Sequence, residues 1–297
     1  MKVRVPASSA NLGPGFDSFA VALPLLAEFD VRPAKAWSFE ANGDGVPEGE
    51  ENLFLVGARA VARAAGANLP SQHVAQHSAI PVARGLGSSA AAIVGGAVAA
   101  NALLGEPLDR RTLLRVASDV EGHADNVAAA LYGALTVAVP EDGGPVATRI
   151  AFPRAWRVCV FIPSAILLTE TARMLLPAEV SRADAVFNLA HAAALIAAFI
   201  KSDGALLSLA MNDRLHQPAR TSLVPALAEI IGAARGAGAF GAALSGAGPS
   251  ILAIAPARLA PRVVAAMEEI AAQSGVSGRG RMLRVRAAGA QVSASER

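Results

Sequence analysis

Between Ile80 and Ala91 the chain reads IPVARGLGSSAA, and these residue types suit the holding of an anion. Gly85 and Gly87 permit positive φ and close backbone approach, so successive N–H groups can turn to one side. An alanine-rich apolar run follows at once. A helix starting there adds the unsatisfied donors and the positive end of its first turn. Together these features make a cradle suited to polyphosphate. The stretch lacks the Gly-Lys-Ser/Thr ending of a Walker A loop and the glycine spacing of a dinucleotide fingerprint. A small-residue turn before a core helix uses the same residues, so the letters alone leave both readings open.

Other reactive side chains carry weaker signals. His73 and His77 are four apart, but HVAQH lacks the glutamate of HExxH and lies in an expected strand, so no metal site is expected there. His123, inside Glu121–Asn126 (EGHADN), is expected to make structural hydrogen bonds rather than act as a general base. Ser245, in Leu244–Ile251 (LSGAGPSI), lacks the G-x-S-x-G pattern of a hydrolase nucleophile. That loop is expected to pack against the early segment Pro6–Phe19 (PASSANLGPGFDSF) and shape the site. Cys159, the single cysteine, sits in an apolar run and reads as an inert buried thiol.

The elements that must position these residues follow from periodicity and breakers. Lys2–Pro6 reads as an opening strand, and Ala7–Asp17 as irregular. Phe19–Leu26 and Asp30–Arg32 read as strands broken at Pro24 and Pro33. Leu53–Ala65 has helical spacing, with Asn52 as a candidate cap. Gln72–Pro81 feeds the glycine loop as a strand. Helices are expected over Ala90–Leu104 and Arg110–Val120, with a second apolar stretch running from Asn126 to Tyr132. Strands are expected at Leu135–Val139 and Trp156–Ile162, separated by a turn at Glu141–Pro145. Beyond a seam near residue 150, helices are expected at Ala183–Lys201, Gly204–Asn212, Pro225–Arg235 and Pro261–Ser274. Gly241–Leu244, Ile251–Ile254 and Met282–Arg286 read as strands. Strands and helices mix without strict alternation, so the class is α+β, with lobes over residues 1–150 and 151–297.

Composition narrows the function classes. Of 297 residues, 53% are hydrophobic and 17% charged, ample for a core, and only Ser293–Arg297 reads as a polar tail. The net charge is +2 and the basic residues are dispersed, which argues against nucleic-acid binding. Ala90–Leu104 reads as the longest mainly apolar stretch, short of the roughly 20 residues that span a bilayer. Met1-Lys2-Val3-Arg4 has no leader pattern, so a cytoplasmic protein without membrane contact is expected.

Three stretches carry a family resemblance. Pro81, Gly85, Leu86, Gly87, Ser88, Ser89 and Ala90 match the phosphate loop P-x-x-x-G-L-G-S-S-A of the GHMP kinases. PASSANLGPGFDSF and LSGAGPSI resemble that superfamily's first and last motifs, in the right order. Within it the chain resembles the homoserine kinase family, whose EGHPDN is matched by EGHADN with Ala124 for proline. Thr169–Pro177 resembles T-x-x-A-R-x-x-L-P, and Asp213–Arg220 resembles D-x-x-x-x-P-x-R. The resemblance implies a two-lobed fold. Its N-terminal ATP-binding lobe would be like ribosomal protein S5 domain 2, and its C-terminal lobe ferredoxin-like.

The implied activity is ATP-dependent phosphorylation of L-homoserine in threonine biosynthesis. Another GHMP small-molecule kinase of mevalonate-pathway type, and a non-catalytic ligand-binding protein of the same fold, are the alternatives. For ATP the resemblance points to Asn52, Pro81, Arg84, Gly85, Leu86, Gly87, Ser88, Ser89, Ala90 and Ala91, with Asn52 either touching adenine or capping its helix. Mg2+ is implied at Ser89 and Glu121, Asp119 being the other acidic choice. Arg173 and Arg220 match the family's carboxylate-binding arginines, whose guanidiniums fork onto carboxylates. Asp17 suits the substrate ammonium, while Asn11 and Asn126 suit its polar ends. Asn126, Asp125 and Thr169 are the residues implied at the reacting hydroxyl, with Thr169 either placing it or serving as a turn residue. Asp125 is either a base or an orienting residue, and direct in-line attack needs no strong base. A homodimer is also implied.

Overall fold

In the computed structural model, which describes residues 1–42 and 46–294, the first strand does not stop at Pro6. Strand β1 runs Lys2–Asn11, and β2 runs Gly15–Pro33, so only Leu12, Gly13 and Pro14 form the turn between them. The expected irregular Ala7–Asp17 is thereby corrected. Ala7 to Ala10 are wholly buried against helices α2 (Ser88–Leu103) and α4 (Asp125–Tyr132), where only small side chains fit. Small residues carry little strand propensity, so the packing and not the propensity decides their conformation. The break expected at Pro24 is a β-bulge. Pro6 pairs with Leu26 and Ala7 with Leu23, leaving Pro24 and Leu25 outside the ladder, where a missing N–H costs nothing.

The long β2 organises the first sheet. Its Phe19–Val21 part pairs with β5 (Leu135–Val139), and its Ala27–Pro33 part pairs with β4 (Gln72–Ser78). Beyond β4 lies β3 (Ser38–Asn42) in parallel, and beyond β5 lies β6 (Val146–Ile150). Strand β11 (Gln291–Ser293) completes the seven by pairing with β1. β3, β6 and β11 are absent from the sequence reading. They are short, largely exposed edges without a buried apolar face to announce them.

Helices α1 (Leu53–Ala64), α2, α3 (Arg110–Glu121) and α4 bury this sheet's core, which gathers Val21, Phe29, Phe54, Val61, Ile93 and Leu114. Helix α2 is apolar all round, as a helix enclosed on every side must be.

The second sheet is antiparallel in the order β10 (Gly278–Leu283), β7 (Trp156–Pro163), β9 (Ile251–Pro256), β8 (Gly241–Leu244). Strand β10 begins four residues before the strand expected over Met282–Arg286. Helices α9 (Leu227–Gly236) and α10 (Ala260–Gln273) share a core with it. Cys159 is buried there, and burial pushes its thiol up to about 12, in keeping with an inert role.

Two short helices, α5 (Thr169–Met174) and α8 (Gln217–Arg220), flank the longer α6 (Arg182–Lys201) and α7 (Gly204–Ala210) in the chain. Helix α6 corrects the expectation that Ala90–Leu104 is the longest apolar stretch. Among the described residues it alone is long and apolar enough to cross a bilayer, with a mean hydropathy of 1.7 over an 18-residue window that is 22% buried. Asp184, Asn188 and His191 interrupt the run to the eye while leaving its average high. Of the polar tail, Ser293 pairs with Lys2 in β11, and residues 295–297 lie outside the described residues.

Candidate active site

The glycine loop is held open by what its carbonyls do. The Gly85 carbonyl accepts from Ser245 Oγ at 2.6 Å, and the Leu86 carbonyl accepts from Ser8 N at 3.1 Å. With both oxygens turned outward to other motifs, the loop's N–H side is left facing the cleft. Gly85 and Gly87 sit at φ +67° and +69°. A Cβ at Gly85 would strike the Ser245 carbonyl, and one at Gly87 would strike Ser8 Oγ, so glycine is required twice over. Helix α2 starts at Ser88, and its first bonded amide is Ala91 N to Gly87 O at 3.0 Å. The three preceding N–H groups, those of Ser88, Ser89 and Ala90, lack an acceptor within the helix, and Ser88 and Ser89 line the cleft at its positive end.

Opposite this loop stands a buried polar cluster at the junction of α3 and α4. Ser89 Oγ donates to Glu121 Oε1 at 2.5 Å, and the Glu121 side chain is only 6% exposed. Burial raises the Glu121 carboxyl above its ordinary value against the opposing Ser89 hydrogen bond. His123 lies with Nδ1 2.8 Å from Asp125 Oδ1 and Nε2 3.6 Å from Glu121 Oε1. Burial pulls the imidazole down, but the Asp125 hydrogen bond and both carboxylate charges outweigh it, so the net shift is upward. Asp125 Oδ1 also accepts from Asn126 N at 2.6 Å. Asn126 Oδ1 accepts from Ser8 Oγ at 2.7 Å, which fixes the amide so that its nitrogen is the donating end, 3.5 Å from Asp125 Oδ1.

The third wall carries two guanidiniums in different states. Arg173, on α5, is forked onto Asp17 with Nη1–Oδ2 at 3.0 Å and Nη2–Oδ1 at 2.7 Å. The Asp17 hydrogen bonds raise the Arg173 value. Arg220 is 2% exposed, and among the described residues no carboxylate lies within ion-pair distance of it. It donates to Ala172 O and Gly246 O at 3.3 Å and to His216 Nδ1 at 3.1 Å, and its guanidinium lies 5.4 Å from the Phe16 ring centroid. Burial first, then repulsion from Arg173, lowers its value. A buried cation facing a cleft without a counter-charge is a waiting anion site. Asn11, near Arg220, bonds Gly246 O through Nδ2 and Asp17 N through Oδ1, both at 3.0 Å.

One cleft thus collects Asn11, Asp17, Asn52, Arg84, Gly85, Leu86, Gly87, Ser88, Ser89, Glu121, Asp125, Asn126, Thr169, Arg173 and Arg220. Several expected residues do other work within or beside it. Asn52 accepts from Phe54 N at 2.9 Å and donates to Pro47 O at 2.6 Å, so both ends of its amide are spent on capping α1 and holding the preceding loop. Arg84 gives Nε to Pro163 O, Nη1 to Val82 O and Nη2 to Ser164 O, tying the glycine loop to the end of β7. Ala90 and Ala91 point into the core, and Pro81 stands outside the cleft lining. Asp119 is exposed on a neighbouring depression with Glu141 and Asp142, away from Ser89. His73 stays on β4 with Ser38 Oγ 3.0 Å away, and no cluster of metal-binding side chains occurs among the described residues.

Two residues of the site escaped the sequence reading as individuals, Ser8 and His216, while Ser245 was weighed there only as a nucleophile. Ser8 lay in a quoted motif as small-residue background, and His216 lay at an unassigned position of DRLHQPAR. Nothing in the letters says that Ser9 Oγ meets Ser245 Oγ at 2.7 Å across 236 residues of chain.

The comparisons with known proteins bear on the family and the fold. Residues 52–134 match the model of the GHMP kinases N terminal domain, and residues 195–273 match that of the GHMP kinases C terminal domain. A homoserine kinase of Desulfitobacterium hafniense is 41% identical, over 98% of this chain and 99% of its own. One from Deinococcus radiodurans is 46% identical over 84% and 82%. The crystal structure of homoserine kinase from Cytophaga hutchinsonii has a TM-score of 0.89 at 28% identity, covering 98% of this chain and 96% of that one. The structure of L. major mevalonate kinase, at TM-score 0.70 and 16% identity over 94% and 95%, shares the fold.

Proposed function

The chain belongs to the homoserine kinase family of the two-lobed GHMP kinases, and from that premise we propose that it transfers the γ-phosphoryl group of ATP to the hydroxyl of L-homoserine, releasing ADP and O-phospho-L-homoserine. The observation that carries the substrate assignment is the buried Arg220, a guanidinium with no counter-ion among the described residues, on the wall facing the phosphate loop. Both arginines come from the half of the chain after residue 150 and the ATP-binding loop from the half before it, although β11 returns from the second half to the first sheet.

In this reading the ATP phosphates lie along Gly85–Ser89, met by the first-turn N–H groups of α2. The homoserine carboxylate takes Arg220, with Arg173 as its second fork, and the ammonium takes Asp17. Asn126 and Thr169 then hold the hydroxyl in line with the γ-phosphorus. The residues present fit Mg2+. Ser89 and the buried Glu121 offer hard oxygen ligands, and an ion of this kind draws most of its shell from phosphates and water. When bound, the ion neutralises charge on the phosphoryl oxygens. Asp125 has its Oδ1 committed to His123 and to Asn126 N, which favours an orienting role over a base. Positioning and electrostatic stabilisation then carry the rate, with the hydroxyl proton passing to a phosphoryl oxygen.

The experiment is an ADP-release assay with Mg-ATP and, separately, homoserine, threonine, serine, mevalonate and galactose. Turnover with homoserine alone is the expected result. Turnover with mevalonate or galactose instead would overturn the carboxylate assignment, and ATP binding without any turnover would overturn catalysis.

A further inference from the structure

His216 is a fully buried imidazole that takes no part in the phosphoryl transfer just described. Its Nδ1 lies 3.1 Å from Arg220 Nη1 and its Nε2 lies 2.9 Å from the Gly13 carbonyl. A guanidinium can only donate, so Nδ1 must accept; a carbonyl can only accept, so Nε2 must carry the proton. The two contacts therefore define a single tautomer, the neutral Nε2–H form. The Phe16 ring stacks on the imidazole at 5.1 Å and also lies 5.4 Å from the Arg220 guanidinium carbon and 5.8 Å from that of Arg173.

Gly13 belongs to the turn between β1 and β2 that also sets Asn11 and Asp17. His216 thus touches the group proposed for the substrate carboxylate and the turn that carries the group proposed for its ammonium. We infer that His216 is a positioning residue for substrate recognition, fixing the Arg220 guanidinium relative to the Asn11–Asp17 turn so that one amino-acid zwitterion fits both. This inference rests on the homoserine reading above.

The charged groups facing His216 act in opposite directions. Asp213, in the segment leading to α8, lies 3.6 Å from Nε2 and favours a proton, as does Asp17 on β2. Burial and Arg220 on α8 oppose it, and burial is the larger effect, which keeps the imidazole below its ordinary value. A second proton could sit only on Nδ1, where it would confront the Arg220 N–H and break the hold.

Two substitutions separate the contacts. In His216→Asn the amide oxygen overlays Nδ1 and retains an acceptor for Arg220. In His216→Gln the amide nitrogen overlays Nε2 and retains only the donor to Gly13. The Gln variant is expected to raise the KM for homoserine about tenfold, as loss of an acceptor for a charged donor does, with the KM for ATP and kcat unchanged. The Asn variant should keep a KM for homoserine near that of the wild type. Equal homoserine KM values for the two variants, or an effect confined to kcat, would overturn the inference. Should either variant fail to fold, the wild type decides. Its homoserine KM is expected to rise on acidification below the ordinary histidine range while its KM for ATP holds, and a flat homoserine KM overturns the assignment. Wild-type protein with no homoserine turnover would instead sink the family-based reading of the substrate.

Discussion

Arg173 and Asp17, 156 residues apart in the chain, meet fork to fork at 2.7 and 3.0 Å on the wall of the cleft. Each satisfies the charge that the other is proposed to offer the substrate. Binding a zwitterion then exchanges one internal ion pair for two intermolecular ones, so neither charge is left bare in the free protein. Both side chains are about a third exposed, so the pair itself adds at most about 1 kcal/mol to stability. Arg173→Ala should therefore leave the melting temperature nearly unchanged while kcat/KM for homoserine falls by at least about tenfold. Unaltered homoserine kinetics in that variant would remove Arg173 from the site.

Arg220 presents the opposite balance. It is buried with no ion pair among the described residues, and a cation in that position costs stability that a bound anion returns. Arg220→Met, close in shape and uncharged, is expected to raise the melting temperature in the absence of substrate and to abolish homoserine turnover. A lower melting temperature would show that the guanidinium's bonds to Ala172, Gly246 and His216 outweigh its burial cost.

The phosphate loop should tolerate no side chain at Gly87. At φ +69° an alanine costs about 1–2 kcal/mol from conformation alone, and its Cβ would displace Ser8 Oγ, and with it the Asn126 amide. Gly87→Ala is expected to fold, to lose ATP turnover and to bind nucleotide weakly in an equilibrium titration. Wild-type kinetics would refute the placement of ATP at this loop.

Two histidines give stability opposite slopes with pH. His216 has a folded value below the ordinary 6.5, so its contribution is present above that value and is lost as pH falls through the lowered one. His123 has a folded value above 6.5, so its contribution is complete below 6.5 and is lost as pH rises through the raised one. Melting temperatures taken from pH 5 to pH 8 should show less acid destabilisation for His216→Asn than for the wild type. His123→Asn should show less loss on the alkaline side. Parallel curves for all three proteins would contradict both assignments.

The glycine loop was legible because its chemistry is local: two glycines, two serines and a helix start lie within five residues. The helices α1, α3, α6 and α10 were legible from spacing and breakers to within a few residues. Ala7–Asn11 was misread because its small residues answer to helices α2 and α4, which the local pattern does not contain. Strands β3 and β6 were missed because an exposed edge needs no apolar alternation. The Arg173–Asp17 fork, the Ser8–Asn126 bond and the run from the Ser9 and Ser245 hydroxyls to the Gly85 carbonyl join distant segments. Motifs named the participants, but only the tertiary structure pairs them.

Strand β11 has a consequence for the order in which the protein is made. Lys2, Val3 and Arg4 find their partners in Ser293, Val292 and Gln291, so the β1 edge is sealed by residues synthesised almost three hundred positions later. Until then the nascent chain presents a row of unpaired backbone donors and acceptors, a template for mispairing with another copy. All four strands of the second sheet lie in the chain between β1 and β11. Translation thus reaches the clasp after every other described strand, and a ribosome stalled before Gln291 would hold a protein with its glycine loop complete and its first sheet unfastened.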